Sequence, residues 1–253
     1  MYNDPVVRER EIRNMSMVFK TLADKILPEL RRARMIANVD YTNYTDEELK
    51  ELASTNVEIM DVEALLYTAS LVKEYDTKAM LYKKAGDKFK CDRGYNNLAA
   101  VALANDKLGD AKAALAKVSD RTSAFYYNNA GVVALRDKDY KTAADMFAKS
   151  SLSEAKYNSA ILDILNGKYA EAANKLAGSK NDNEGLAYIL TNQLDKASAA
   201  ITCKCPHAAY MKAVIAARQG NMSEVAKQLE IVYKDEVLKA RSQNDIEFAK
   251  FRE

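Results

Sequence analysis

The sequence predicts an all-α fold made of stacked helical hairpins, and two observations carry that prediction. The chain has 253 residues but only 3 Pro, 8 Gly and no Trp, so residues that break or disfavour helices are few. One pattern of small and apolar residues also recurs five times with the same internal spacing. A chain of this length can bury a sizeable core, as one large domain or two smaller ones.

Each repeat begins with a small residue, and an apolar residue follows nine positions later. A small or medium-sized residue comes three positions after that, and a large apolar residue four positions further on. The five sets are Ala99, Leu108, Ala111 and Leu115; Gly131, Tyr140, Ala143 and Phe147; Ala160, Tyr169, Ala172 and Leu176; Gly185, Leu194, Ala197 and Ile201; and Ala213, Met222, Val225 and Leu229. Residues three and four apart share a helical face, so the last three members mark the buried stripe of a second helix.

Turn-forming residues separate the two helices of every repeat. They are Asn105-Asp106, Asp137-Lys138-Asp139, Asn166-Gly167, Asn192 and Gly220-Asn221. Asn, Asp and Gly accept the left-handed backbone that ends a helix. We therefore expect antiparallel hairpins, which must stack because one hairpin cannot bury its apolar face alone.

The two ends of the repeat region extend the pattern. Asp61 to Phe89 predicts a sixth, more divergent hairpin, with Asp61 as the N-cap. Residues 232–251 are amphipathic and charged, which predicts a C-terminal capping helix.

Residues 1–60 differ from the rest of the chain. Arg8 to Ala33 has one apolar stripe and predicts a helix, which Pro28 should bend or end. Met35 to Tyr41 alternates like a strand, although no other segment offers a partner strand. Thr45 then caps a short helix with Glu48 in the capping-box position. We predict an N-terminal segment over residues 1–60 and a repeat domain over residues 61–253.

The order of small, aromatic, Ala and large apolar residues resembles the tetratricopeptide repeat. An Asn two residues before the small position fits as well, at Asn97, Asn129, Asn158 and Asn183. The family's aromatic residue four positions ahead survives only as Tyr95 and Tyr127, and the Pro at the repeat end is absent. Successive repeats are offset by 32, 29, 25 and 28 residues, which is shorter than the usual period of about 34. The resemblance implies a right-handed α-α superhelix with a concave face.

A narrower resemblance covers nearly the whole chain. The runs DPVVREREIRNMS, LPELRRARMIANVDY, TDEELKELA and VEALLYTASL, leading into helical repeats, resemble the C-terminal part of large envelope proteins of Gram-negative bacteria. In those proteins a domain resembling outer membrane protein A precedes the repeats. The resemblance implies that Met1 to about Tyr44 is a helix/strand remnant of a truncated upstream domain. Since Met35 to Tyr41 has no partner strand, we expect it to be extended but unpaired, disordered, or paired with the same stretch of a second molecule in a homodimer. It also implies a periplasmic or outer-membrane-associated location, with the cytoplasm as the alternative.

Charge and hydropathy argue against two classes of partner. Lys and Arg total 38 and Asp and Glu total 36, so the formal charge is only +2 and gives no attraction to nucleic acid. No stretch reaches 18 consecutive apolar residues, so we expect no direct membrane insertion. The sequence MYNDPVVRER has no apolar core typical of a signal peptide.

The run TCKCPH places Cys203, Cys205 and His207 in one loop. Thiolates and imidazole suit zinc, but a structural zinc site needs four ligands, and Cys91 is several hairpins away. His207 is the only His and so the only imidazole base for catalysis. We expect an ordinary loop between repeats, with no metal, no cofactor and no enzymatic activity.

The resemblance to tetratricopeptide repeats places the first helices along the concave face. It implies partner-binding positions at Asn96, Asn128, Arg136, Tyr157, Leu165, Leu190, Tyr210 and Arg218. The alternative is that the apolar positions on these helices are simply interhelical core. Three hypotheses follow: a scaffold that binds a protein or peptide, a structural spacer in a longer envelope protein, and an enzyme using the Cys203–His207 loop.

Overall fold

The computed structural model describes residues 44–252. The helix predicted for Arg8 to Ala33 and the strand predicted for Met35 to Tyr41 lie outside the described residues. From Thr45 onward the chain forms one compact unit, and every regular element within residues 44–252 is a helix. In this part of the chain no helix combines the length and apolar character needed to cross a membrane.

Six helical hairpins make up most of this unit. Helix α1, Asp46–Thr55, and a 3-10 turn at Val57–Ile59 precede them. The hairpins pair α2 Val62–Leu71 with α3 Tyr75–Phe89, α4 Asp92–Ala104 with α5 Leu108–Ala116, α6 Ala124–Arg136 with α7 Tyr140–Lys149, α8 Ser153–Leu165 with α9 Tyr169–Leu176, α10 Asp182–Leu190 with α11 Leu194–Ala200, and α12 Pro206–Arg218 with α13 Met222–Val232. Helix α14 Glu236–Asn244, a 3-10 turn at Ile246–Phe248 and α15 Ala249–Arg252 follow. The predicted all-α superhelix of stacked hairpins is confirmed.

The predicted repeat register is also confirmed. The second helix of each predicted repeat begins at the apolar residue nine positions after the small one, namely Leu108, Tyr140, Tyr169, Leu194 and Met222. The two later positions of each set are buried: Ala111 and Leu115, Ala143 and Phe147, Ala172 and Leu176, Ala197 and Ile201, Val225 and Leu229. The spacing thus fixed both where the second helices start and which face they bury.

Small residues on the first helices allow close packing within a hairpin. A Cβ atom added to Gly131 would lie 2.5 Å from the ring of Phe147. One added to Gly185 would lie 2.8 Å from Cδ1 of Ile201. In these two sets the large residue that closes the set therefore packs onto the small residue that opens it, which explains why both positions hold glycine.

Five hairpin turns share one geometry. Each has a residue with positive φ two positions after the first helix, namely Asp106, Lys138, Gly167, Asn192 and Gly220. The next residue donates its N–H to the carbonyl five positions earlier, over 2.8–2.9 Å. These are Schellman turns, which satisfy carbonyl groups that a helix end leaves unpaired. The predicted turn residues hold the left-handed positions.

The N-terminal helix of the described region is capped as predicted. Thr45 N donates to Glu48 Oε2 over 2.8 Å, and Glu48 N donates to Thr45 Oγ1 over 3.3 Å. Leu49 of α1 packs in one buried cluster with Leu65 and Leu81 of the first hairpin. The predicted boundary between residues 60 and 61 therefore falls inside the compact unit.

The C-terminal segment, residues 236–252, folds back onto the last hairpin. Phe248 is 1 % exposed and belongs to the same buried cluster as Tyr210 and Leu229. The rings of Phe248 and Tyr210 pack edge to face, with their centroids 5.5 Å apart. This segment covers the end of the hairpin stack, as a terminal cap must.

Candidate binding clefts and a thiol cluster

Five of the eight predicted partner-binding residues line two clefts. The central cleft, of about 610 Å³, lies between the first helices α4, α6 and α8 and includes Asn128 and Tyr157. The C-terminal cleft, of about 550 Å³, lies between α10, α12 and the C-terminal segment and includes Leu190, Tyr210 and Arg218. First helices therefore contribute residues to both clefts.

Three predicted residues lie outside these two clefts. Asn96 is only 6 % exposed, so it packs inside the stack instead of presenting a binding surface. Arg136 pairs with Asp106 in the turn of the preceding hairpin, beside a smaller cleft of about 210 Å³. Leu165 is 53 % exposed at the end of α8. Position along a first helix was therefore not enough to place a side chain in a cleft.

Hydrogen bonds between first helices hold the central cleft open in a fixed shape. Asn129 Nδ2 donates to the carbonyl of Asn96 over 3.0 Å, and Asn158 Nδ2 donates to Asn128 Oδ1 over 3.0 Å. Asn183 Nδ2 donates to the Tyr157 hydroxyl over 2.6 Å. These bonds link α4, α6, α8 and α10 in order. Three of the four asparagines that carried the resemblance therefore join neighbouring hairpins.

The surface of the central cleft is mixed in character. Leu103 and Val132 supply apolar area, while Ser153 and Lys156 are exposed at its edge. Lys175, by contrast, is engaged within the fold, since its Nζ donates to Ser159 over 2.8 Å and to Asp163 over 2.6 Å. The cleft thus offers apolar contacts, side-chain amides and two exposed charged groups, the cation of Lys156 and the carboxylate of Glu154, to an incoming segment.

The C-terminal segment reaches into the C-terminal cleft and contacts the predicted residues there. The Tyr210 hydroxyl donates to Asp245 Oδ2 over 2.5 Å. Arg218 Nε donates to Glu247 Oε2 over 3.0 Å, and Arg218 Nη1 donates to the carbonyl of Ile189 over 2.7 Å. Burial, followed by the hydrogen bond to Asp245, raises the pKa of Tyr210 to about 12. The sequence predicted the capping role of this segment but not its position on Tyr210 and Arg218.

The loop of residues 201–205, between α11 and α12, brings its two thiols to a carboxylate. Cys205 Sγ lies 3.9 Å from Asp182 Oδ2, and the ligand atoms of Asp182, Cys203 and Cys205 lie within 4.8 Å of one another. Cys205 is the N-cap of α12, and its N–H donates to Cys203 Sγ over 3.2 Å. Asp182 is the first residue of α10, and its position 21 residues before Cys203 gave no sign of this contact.

The two thiols affect each other's protonation. The hydrogen bond from Cys203, then the backbone N–H of Ala208, lowers the pKa of the Cys205 thiol. The same pairing raises the pKa of Cys203. His207, the third member of the sequence motif, is exposed and lines the C-terminal cleft. The cluster in the described region therefore contains a carboxylate, Asp182, in the place where the sequence suggested an imidazole.

Two solved structures are similar to this chain. One is a tetratricopeptide repeat protein from Parabacteroides merdae, with a TM-score of 0.54 and 15% identity over 77% of this chain and 88% of that one. The other is pilF of Pseudomonas aeruginosa, with a TM-score of 0.56 and 14% identity over 82% of this chain and 98% of that one. No family model and no curated protein matches the sequence. At these identities the likeness shows the fold, which is that of tetratricopeptide repeats.

Proposed function

We propose that the hairpin stack is a non-catalytic scaffold that binds a segment of another protein along its first helices. The observation that carries the proposal is the way the chain's own C-terminal segment lies on α12. Asp245 and Glu247 engage Tyr210 and Arg218, and Phe248 is buried beside them. This face thus binds a short segment through two carboxylates and an aromatic ring.

The central cleft supplies a similar combination of groups, and no segment among residues 44–252 occupies it. Val132 and Leu103 provide apolar area, and Lys156 makes no ion pair with the described residues. A carboxylate on an incoming segment would find Lys156, and the side-chain amide of Asn128 would meet a peptide backbone. We infer that the partner presents an acidic and apolar segment to this cleft.

A spacer remains the alternative function, and one observation favours it. The C-terminal segment covers Tyr210 and Arg218, so part of the predicted binding face is closed against the chain itself. A spacer would show closed faces throughout. The central cleft, which residues 44–252 leave open, is the feature that separates the two functions.

Photo-crosslinking in cells of the source organism tests the scaffold proposal. A photoreactive residue at Ser153, exposed at the edge of the central cleft, should capture a discrete partner, whereas one at the exposed Glu171 on α9 should not. Lys156→Glu should reduce capture from Ser153 because it reverses the charge at the cleft. Equal capture from both positions, or no capture from Ser153, would support the spacer instead.

We also propose that the scaffold acts in the bacterial cell envelope. The support is the sequence resemblance of residues 4–71 and the repeats to the C-terminal part of large envelope proteins. Fractionation of the source cells should place the protein with periplasmic or outer-membrane markers. Recovery with cytoplasmic markers would contradict this location and leave the scaffold proposal standing.

A further inference from the structure

The thiol cluster has a feature that an ordinary interhelical loop does not need. Asp182 Oδ1 is buried without a hydrogen-bond partner among the described residues, and its other oxygen faces Cys205. A buried carboxylate oxygen without a partner is costly, because it has lost water and gained nothing in exchange. A cation bound by the Asp182 carboxylate together with the two thiols would give this carboxylate the partner that it lacks.

The donor set is appropriate for a thiophilic metal ion. Two thiolates and one carboxylate are ligands that Zn²⁺ accepts, and a fourth tetrahedral position can hold water. In a tetrahedral zinc site the donor atoms are roughly 3.5 Å apart. The 3.9 Å between Cys205 Sγ and Asp182 Oδ2 is already close to that separation, and all three donors lie within 4.8 Å. Small side-chain rotations would bring them onto one ion.

The surroundings balance the charge that such a complex would carry. Two thiolates and a carboxylate around a divalent ion leave one net negative charge. Lys180 lines the cleft of about 390 Å³ that Asp182 and Cys203 share, and Lys212 Nζ donates to the carbonyl of Cys203 over 3.2 Å. Lys212 thus places a positive charge at the loop of Cys203, and Lys180 adds a second one to the lining of the same cleft.

We propose that Asp182, Cys203 and Cys205 form a binding site for a thiophilic divalent cation of the Zn²⁺ type. The site joins the start of α10 to the start of α12, so a bound ion would clip the fifth hairpin to the sixth. The sequence gave only the two thiols of this set, and the third ligand comes from the fold. The proposal is independent of partner binding in the central cleft.

Titration of the full chain with Cd²⁺ under a non-thiol reductant tests the site. Cadmium thiolates absorb in the ultraviolet, so binding is read directly. We expect one ion per chain, with loss of the band in Cys205→Ser and affinity weakened by about tenfold or more in Asp182→Asn. Cys91→Ser, which removes the thiol outside the cluster, should bind like the wild type. Zn²⁺ should compete with Cd²⁺ and raise the Tm of the wild type and of Cys91→Ser alone.

Circular dichroism of each variant shows whether it is folded, and Cys203→Ser provides a second variant should Cys205→Ser unfold. Absence of stoichiometric binding overturns the proposal. The proposal is also overturned if Asp182→Asn binds the ion as tightly as the wild type, or if the urea-unfolded chain still binds it. Either result would mean that the two thiols alone bind the ion.

Discussion

The central and C-terminal clefts are built from equivalent first helices but differ in what contacts them. In the central cleft, Asn128 and Asn158 bond to each other across neighbouring helices and leave the apolar floor accessible. In the C-terminal cleft, Tyr210 and Arg218 bond to a later part of the same chain. The comparison teaches that this face can be closed by a short acidic and aromatic segment, and that the hairpins alone do not close it.

Among the changes that test this comparison, removal of the buried Phe248 ring should lower the stability of the fold most. Phe248→Ala should lower the free energy of unfolding by about 3–5 kcal/mol, because a large buried side chain is removed and a cavity remains. Urea denaturation followed by circular dichroism measures the change. Ile246→Ala, two residues away at an 85 % exposed position, is the matched control and should be nearly neutral. Similar losses in both variants would mean that the segment is not anchored through Phe248.

Gly131 tests the scaffold beneath the central cleft. Gly131→Leu should cost about 1–3 kcal/mol or more, since an added side chain must displace the ring of Phe147. Gly109→Ala is the control, because Gly109 lies in α5 with open space around it and Ala favours helix. A melting temperature of Gly131→Leu close to that of the wild type would contradict the repeat register.

Burial of Tyr210 and its hydrogen bond to Asp245 predict a pH dependence of stability that arises in the C-terminal cleft. The pKa of Tyr210 rises from 10.0 to about 12 in the folded chain, so the folded state holds this proton more tightly. Its stabilisation is complete below pH 10 and is lost as the pH rises through about 12. Tyr210→Phe should cost about 1 kcal/mol at neutral pH and should flatten the Tm profile over this alkaline window.

The control for that profile is Tyr233→Phe, at an exposed tyrosine beyond α13. It should leave the alkaline loss of stability as in the wild type. A profile for Tyr210→Phe identical to wild type would place the alkaline transition elsewhere, for example at Tyr75, whose pKa is also raised to about 12.

Deletion of residues 1–44 gives the smallest expected effect. The residues from Thr45 onward form one compact unit with a capped first helix, so both clefts should persist in the shortened chain. We expect similar helix content and a Tm within a few degrees, and sedimentation velocity of both chains tests the proposed dimerisation through residues 1–44. Unfolding of the shortened chain would mean that the deleted segment is an integral cap of the stack.

Features within one hairpin were predictable from the sequence. The starts of the second helices, the buried stripe through Ala143 and Phe147, and the left-handed turn at Gly167 all involve residues close in sequence. Such contacts depend on helical periodicity alone. Contacts between hairpins were harder to predict from the sequence, because they depend on how each hairpin is rotated against the next.

The candidate sites show this limit most clearly. Asn96 was expected on the binding face but is buried between first helices, where Asn129 bonds to its carbonyl. Asp182 meets Cys205 although 23 residues separate them, and Glu247 meets Arg218 across 29 residues. No local sequence pattern encodes contacts between residues so far apart in the chain. The sequence therefore located the thiols and the first helices but not the residues that they contact.

The C-terminal segment is covalently joined to the hairpin that it covers. Any partner that binds Tyr210 and Arg218 must therefore compete with it, and must exceed a threshold concentration to do so. A segment joined to its own binding face by a short linker acts there as though it were present at about millimolar concentration. A free peptide with the same three anchors would have to reach that level to displace it. A partner that also engaged the central cleft would gain contacts that the tethered segment does not make. Under the proposed function, the length of the incoming segment would therefore decide binding as well as its chemistry.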